Sequence, residues 1–358
     1  MKPSPAVFQR NLLAWYRRHG RHDLPWRTTW DPYSILVSEL MLQQTTVATV
    51  IPYFHRFLKK FPHVRDLANA PLESVLALWA GLGYYARARH LHRAAQQILA
   101  THRGRMPRTR AEMESLPGVG PYTAGAVLSF AYNQPEALVD GNVIRVLSRV
   151  YGVRDNTKSP PVLKHLWETA RALVPSGGAR HFNSALMDLG ATVCRPTAPD
   201  CARCPLAGVC WANRMGRQAE VPAAGADPAK KEIHAHVAVI ERDGRWFLRR
   251  RPPTGLYGGL WEFPGFEFLS APSLRAVAGL FTERLGARPV GRRPLDALRH
   301  VLSHREIRVS PWVCAGKDGR TEGRWFSADQ IRRGAVSTLT RRVWERVVHH
   351  HKTIRRAE

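Results

Sequence analysis

The stretch LPGVGPYTAG, residues 116–125, decides how this chain is read. Just upstream, Thr109-x-x-Glu112 is a capping box that opens a short helix. Gly118 and Gly120 then form a turn that admits close backbone approach. Pro121 starts a second helix whose first amides are free. Helix, glycine turn and helix N-terminus together make a device for gripping phosphate. The same pattern also serves as a plain interhelical turn, and the charge of the chain separates the two readings. Lys and Arg number 54 against 28 Asp and Glu, a formal +26 in 358 residues. So much self-repulsion is relieved by a polyanionic partner, so residues 109–131 are read as a helix–hairpin–helix clamp on DNA.

The composition, 44% hydrophobic and 23% charged, is that of a globular protein with length enough for two cores. No run of about 18 apolar residues occurs, so no membrane span is expected. The start, MKPSPAVFQRNLLAWYRR, has no apolar signal core, which points to a cytoplasmic protein. Of five cysteines, four stand as Cys194-x6-Cys201-x2-Cys204-x5-Cys210, and Cys314 is alone. In a chain that is not exported such a group is a metal or cluster site, not a disulfide set. Four thiolates suit either Zn²⁺ or a [4Fe–4S] cluster. The single close CxxC pair leans toward iron–sulfur.

Residues from about 5 to 215 read as helix after helix, among them 73–79, 86–100, 161–173 and 179–189. Asp31-Pro32 is a helix start, and the segment VSELMLQQTTV, residues 37–47, follows it. On the helical wheel Glu39 falls inside an apolar arc between Ile35, Leu36 and Leu42. A carboxylate is seldom left there unless a raised pKa is useful. Gln43-Gln44-Thr45 breaks this helix. Asp140, in VDGNVIRVLSRV, precedes another helix and is a natural N-cap. Paired with a buried Glu39, it becomes half of a two-carboxylate site of the kind that breaks glycosidic bonds. Residues 217–231, rich in Ala, Pro and Gly, read as a linker. Beyond it the pattern turns strand-like. HAHVAVI and RWFLRRR flank Asp243-Gly244, HREIRVSPWVCAG follows, and a second Asp-Gly stands at Asp318-Gly319. The end of the chain, with histidines 349–351, reads as a solvated basic tail.

Taken together, LPWR (24–27), SELMLQQT (38–45), GLGYYARARHL (81–91), LPGVGPYTAG, VDGNVIRVLSR (139–149) and the cysteine spacing resemble the MutY family of adenine DNA glycosylases, within the endonuclease III superfamily. The resemblance implies an all-α helix–hairpin–helix glycosylase domain over 1–216 with an iron–sulfur loop at 194–210. It further implies a linker at 217–231, an α+β MutT/Nudix-like domain over 232–345 and a basic tail from 346. Cys194, Cys201, Cys204 and Cys210 would hold a [4Fe–4S] cluster. The substrate would be double-stranded DNA with adenine opposite 8-oxoguanine or guanine, bound by a monomer. Glu39 resembles the acid that protonates adenine N7, and Asp140 the carboxylate that stabilises an oxocarbenium-like sugar. Tyr122 and Asn142 resemble the residues beside them, and Trp26 and Arg27 resemble residues of the adenine pocket. Gln43 and Tyr84 resemble wedges in the base stack, and Ser303 and His304 the loop that reads 8-oxoguanine. Gly118 and Gly120 belong to the DNA clamp.

Two departures matter. Ser184 stands where relatives often carry a longer Glu or Gln near the adenine. Aligned from Gly265, the Nudix box reads Ala271, Gly279, Leu280, Glu283, Arg284 and Gly286, so of its acidic positions Glu283 alone remains. Mg²⁺ needs clustered oxygens, so this domain is expected to recognise rather than hydrolyse. Relatives that also cleave the strand carry Lys at the position of Tyr122. A bifunctional glycosylase/lyase, or an iron–sulfur DNA-binding protein without activity, are the competing readings.

Overall fold

A computed structural model describes residues 3–223, 229–316 and 322–354. The chain divides into two compact units. One comprises Met1–Asn69 with His90–Ala226, the other Ala70–Arg89 with Asp227–Glu358. The helices in chain order are α1 (Pro5–His19), α2 (Pro32–Leu42), α3 (Val47–Lys60), α4 (Val64–Asn69), α5 (Leu72–Trp79), α6 (Ala86–His102), α7 (Arg110–Glu114), α8 (Pro121–Tyr132), α9 (Gly141–Tyr151), α10 (Pro160–Leu173), α11 (Ala179–Asp188) and α12 (Trp211–Arg214).

The first unit is built around two helices with almost no polar face. In α2 every residue from Tyr33 to Met41 is buried, and in α8 every residue from Thr123 to Ala131. The two pack on each other. Asp31 caps α2, accepting from the amides of Tyr33 and Ser34 at 3.3 and 2.9 Å, and Pro32 sets the first turn. Thr109 caps α7, accepting from the Glu112 amide at 3.3 Å and donating to its carboxylate at 2.7 Å. Between α7 and α8 the chain turns at Gly118, whose φ is +79°. A Cβ there would meet His90 Cβ at 2.5 Å, so both backbone and space require glycine. At Gly120, the residue before α8, a Cβ would meet nothing within 4 Å, so the N-terminus of α8 faces open space.

The second unit carries an eight-stranded mixed sheet: β1 (Lys231–Arg242), β2 (Arg245–Arg250), β3 (Trp261–Glu262), β4 (Gly265–Phe268), β5 (Ala287–Pro289), β6 (Leu298–Val301), β7 (Arg305–Gly316) and β8 (Arg324–Phe326). β1 runs parallel to β7, from Lys231 opposite Arg305 to Ile240 opposite Cys314. The remaining pairings are antiparallel. Asp243 and Gly244 both adopt positive φ and close the β1–β2 hairpin, as the Asp-Gly pair predicts. Helices α13 (Leu274–Leu280), α14 (Ala328–Arg333) and α15 (Thr338–Ile354) complete the unit. Its core joins Ile240, Phe247, Val277, Phe281, Leu285 and Trp312.

Three boundaries differ from the sequence reading. Residues 70–89 belong with the C-terminal half, where Glu73 accepts from Trp261 Nε1 at 2.9 Å and Arg89 donates to the Gly258 carbonyl at 2.8 Å. The stretch read as a linker from 217 is packed as far as Val221, which is 1% exposed and whose carbonyl accepts from Arg149 at 2.8 Å. Of the tail read from 346, the described residues 346–354 are the second half of α15, which buries Val343, Trp344 and Val347 at helical spacing. Asp318-Gly319 lies outside the described residues. No helix among the described residues is long and apolar enough to cross a membrane.

Replacing Gly118 by Ala is expected to cost about 1–3 kcal/mol of unfolding free energy, measured by urea denaturation, because a left-handed residue and a clash with His90 coincide there.

Candidate active site

α2 and α8 each deliver one polar side chain to the same cavity. Glu39 is 3% exposed, and Tyr122 donates its hydroxyl to Glu39 Oε2 at 2.8 Å. Burial pushes the Glu39 carboxyl from the usual 4.5 up to about 7. The Tyr122 hydrogen bond and the Arg27 charge pull it back down, and the negative charge of Asp140 adds to the rise. The Tyr122 phenol is itself held well above its ordinary value, first by burial and then by Glu39 and Asp140. It is fixed as a donor. Met187 Sδ lies 3.7 Å from the same hydroxyl.

Asp140 is both the helix cap and a member of this site. Its Oδ1 accepts from the Val143 amide at 2.8 Å, capping α9, and its Oδ2 accepts from Asn142 Nδ2 at 2.9 Å. Arg145 donates to Asn142 Oδ1 at 2.8 Å, which fixes which end of that amide faces Asp140. Arg145 also reaches the carbonyls of Gly190 and Cys194 at 2.8 and 2.7 Å. No sequence signal marked the link Arg145 makes to the cysteine loop, because the Gly190 and Cys194 carbonyls lie 45 and 49 residues away.

The cavity measures about 440 Å³ and is lined by Trp26, Arg27, Glu39, Gln43, Tyr122, Asp140 and Asn142, so seven of the residues singled out in the sequence come together. Trp26 is buried edge-on against Phe54, and Gln43 reaches Thr123 Oγ1 at 3.4 Å. Arg21 and Met187 also line it, and neither was singled out. Ser184 does not line it. Its hydroxyl is buried with no hydrogen-bond partner. A wider groove of about 1020 Å³ in the same unit carries two carboxylates, Asp31 and Glu112, both engaged at helix caps. It offers no buried acid, so the smaller cavity is the better reaction site.

Tyr84, Ser303 and His304 gather elsewhere, in the second unit. They line a cavity of about 440 Å³ formed by the Gly81–Ala86 segment, the Gly255–Tyr257 loop and the β6–β7 turn. The Tyr84 hydroxyl is hydrogen-bonded to Ser303 Oγ. Tyr84 has φ +48° and is 45% exposed, whereas Tyr85 is buried against Tyr257. The two tyrosines thus face different ways in a loop that precedes α6.

Cys194, Cys201, Cys204 and Cys210 line one small cavity with Val146, Val150, Leu189 and Leu206. Arg149 donates to Cys194 Sγ at 3.4 Å and Gln218 to Cys201 Sγ at 3.8 Å. Burial pushes the Cys204 thiol up to about 12 and Cys210 upward as well. Thiolates in such a place call for a bound cation. Among the described residues no three His, Cys, Asp or Glu side chains converge as on a single ion. The four cysteines share one largely apolar space and are the residues that would hold a bound group there.

Residues 37–172 match the HhH-GPD superfamily of base excision DNA repair proteins, and residues 235–346 match the NUDIX domain. These two matches, laid over the helical and sheet units, define a DNA N-glycosylase of base excision repair with a Nudix-like second domain. The rat adenine DNA glycosylase is 36% identical over 410 residues, covering 97% of this chain and 79% of the rat protein. That of Buchnera aphidicola subsp. Baizongia pistaciae is 34% identical over 87% of each chain. Among solved structures, a thermostable thymine-DNA glycosylase is 34% identical, with a TM-score of 0.55 over 59% of this chain and 97% of its own. A trapped endonuclease III–DNA covalent intermediate shares the helical fold at 24% identity and a TM-score of 0.51, over 60% of this chain and 99% of its own. The chain belongs to the adenine DNA glycosylase family.

Because Glu39 binds its proton more tightly folded than unfolded, it contributes stability below about pH 4.5 that is lost as pH rises through about 7. From acid to about pH 8 the wild type should lose roughly 3 kcal/mol more than Glu39→Gln, read from denaturant titrations of both proteins at each pH.

Proposed function

We propose that the protein excises adenine opposite 8-oxoguanine or guanine in duplex DNA and leaves an abasic site. The observation that carries this reading is Glu39, buried in the wall of the cavity, held at about pKa 7 and hydrogen-bonded by Tyr122. A base inside a duplex is out of reach, so the adenine must be flipped out. A carboxyl that keeps its proton near neutrality can give it to adenine N7, which makes the base a better leaving group. The sugar left behind gains positive charge, and Asp140, oriented by the Val143 amide and Asn142, supplies the compensating negative charge. Among the described residues no lysine lines the cavity, and the phenol of Tyr122 cannot form a Schiff base, which supports a monofunctional enzyme.

Trp26 and Arg27 form part of the adenine pocket wall, and Gln43 stands at its edge as a wedge into the stack. The turn at Gly118 and Gly120 grips the DNA backbone through the N-terminus of α8. Cys194, Cys201, Cys204 and Cys210 hold a [4Fe–4S] cluster, whose contribution is to fix the fold of the loop at 194–210. Tyr84, Ser303 and His304 read 8-oxoguanine, and the protein works as a monomer in the cytoplasm.

The test is a set of duplexes carrying A opposite 8-oxoguanine, G or T, and an oxidised pyrimidine, each scored with and without alkali. Strand cleavage should need alkali and appear for the first two alone, and Glu39→Gln should slow it about 10²–10⁴-fold. Efficient trapping of a covalent adduct by borohydride would sink the monofunctional reading. Single-turnover excision should also slow as pH rises through about 7, where Glu39 loses its proton. Ser303→Ala should lower the preference for 8-oxoguanine over guanine while leaving excision from A:G in place. An unchanged preference would remove Ser303 from that role.

A further inference from the structure

One buried carboxylate of the helical unit has no part in the chemistry above. Asp188 ends α11, is 0% exposed and does not line the reaction cavity. Its Oδ2 accepts from the Arg21 amide at 2.9 Å. Its Oδ1 accepts from Arg21 Nε at 2.9 Å, from a terminal nitrogen of Arg21 at 2.6 Å, and from Arg27 at 3.3 Å. Arg27 also donates to the Tyr16 hydroxyl at 2.9 Å, and its side chain is 9% exposed. Two arginines are thus collected on one carboxylate that water does not reach.

Both arginines line the cavity that holds Glu39. The groups acting on Glu39 are Tyr122 from α8, Asp140 at the start of α9 and Arg27 from the loop before α2, so Arg27 is the one cation among the described residues in that set. Around the Asp188 cluster stand Tyr16, His22 and His181, while Arg180 donates to the Arg27 carbonyl at 2.6 Å. A guanidinium buried beside a carboxyl group pairs with it and ionises it unless it has another anion to bind. An ionised Glu39 has no proton to give. We infer that Asp188 is a positioning residue that keeps Arg27 from pairing with Glu39, so that Glu39 remains a proton donor at neutral pH. The inference rests on Glu39 being the general acid.

The experiment measures the pH profile of single-turnover adenine excision by the full-length protein on saturating A:8-oxoguanine duplex. For Asp188→Asn the uncompensated arginines should move the basic limb down by about one pH unit. For Arg21→Gln, whose native side chain is partly exposed, Asp188 is left to Arg27 alone, and the limb should move up. A structural role would lower the rate equally at every pH, with the limb unmoved. A limb that stays in place in Asp188→Asn therefore overturns the inference while leaving the acid reading intact. If Asp188→Asn does not fold by circular dichroism, Arg21→Gln decides, and a limb that stays or moves down overturns the inference. A wild-type profile with no basic limb overturns the acid reading and this inference with it.

Discussion

The site depends on keeping a carboxyl group out of water between two helices that have almost no polar surface. α2 and α8 are buried along nearly their whole length, and they bring Glu39 and Tyr122 to one cavity. Were Glu39 solvated, it would be an ordinary carboxylate near pKa 4.5, spent as an acid at neutral pH. The fold imposes burial, and the Tyr122 hydroxyl at 2.8 Å limits how far that burial drives the pKa. Desolvation outweighs both the hydrogen bond and the Arg27 charge, which is why the balance ends near 7. The stability lost by burying a titratable group at neutral pH is the counterpart of having an acid there.

The second carboxylate is held by geometry. Asp140 sits at the N-terminus of α9 with the Val143 amide and the Asn142 side chain donating to it. Arg145 connects this half of the site to the cysteine loop. One guanidinium holds Asn142 in the orientation that serves Asp140 and binds the carbonyls of Gly190 and Cys194. Anything that disturbs the backbone at Cys194 therefore reaches Asp140 through a single side chain. The cysteine loop thus bears on the geometry of the Asp140 side of the cavity without lining it.

Local grammar made much of this legible. Glu39 was conspicuous as a charge on an apolar helical arc, and the hairpin was marked by Thr109, Gly118 and Pro121, all within one short stretch. Capping and a place in the Glu39 cavity are compatible at Asp140, since one oxygen caps α9 and the other meets Asn142. What stayed hidden is non-local. Asp188 binds arginines more than 160 residues away, and Glu73 binds Trp261 across 188 residues. Neither pairing leaves a trace in composition or periodicity, so residues 70–89 could not be assigned to the C-terminal unit from the sequence. The apparent tail failed for another reason. Its charges dominate the composition of α15, while Val343, Trp344 and Val347 form a narrow buried stripe.

The second unit carries the NUDIX-domain fold, with its helix and sheet carboxylates committed to packing and ion pairs. The helix that follows the Nudix-box start has Leu280 at an acidic position of the box, and Val277, Phe281 and Leu285 are part of the core. On the sheet, Glu262 is bound by Arg249 and Arg251, and Arg251 also meets Glu267. These ion pairs line a space of only about 60 Å³, too small for a nucleotide. The room in this unit lies instead at its loops, where positive-φ tyrosines 84 and 257 and the β6–β7 turn enclose about 440 Å³. Left-handed non-glycine residues are costly and persist where the surroundings determine them. Two of them border this one cavity, and Tyr84 is bonded to Ser303 across 219 residues, so its shape is set by both local backbone and distant contact.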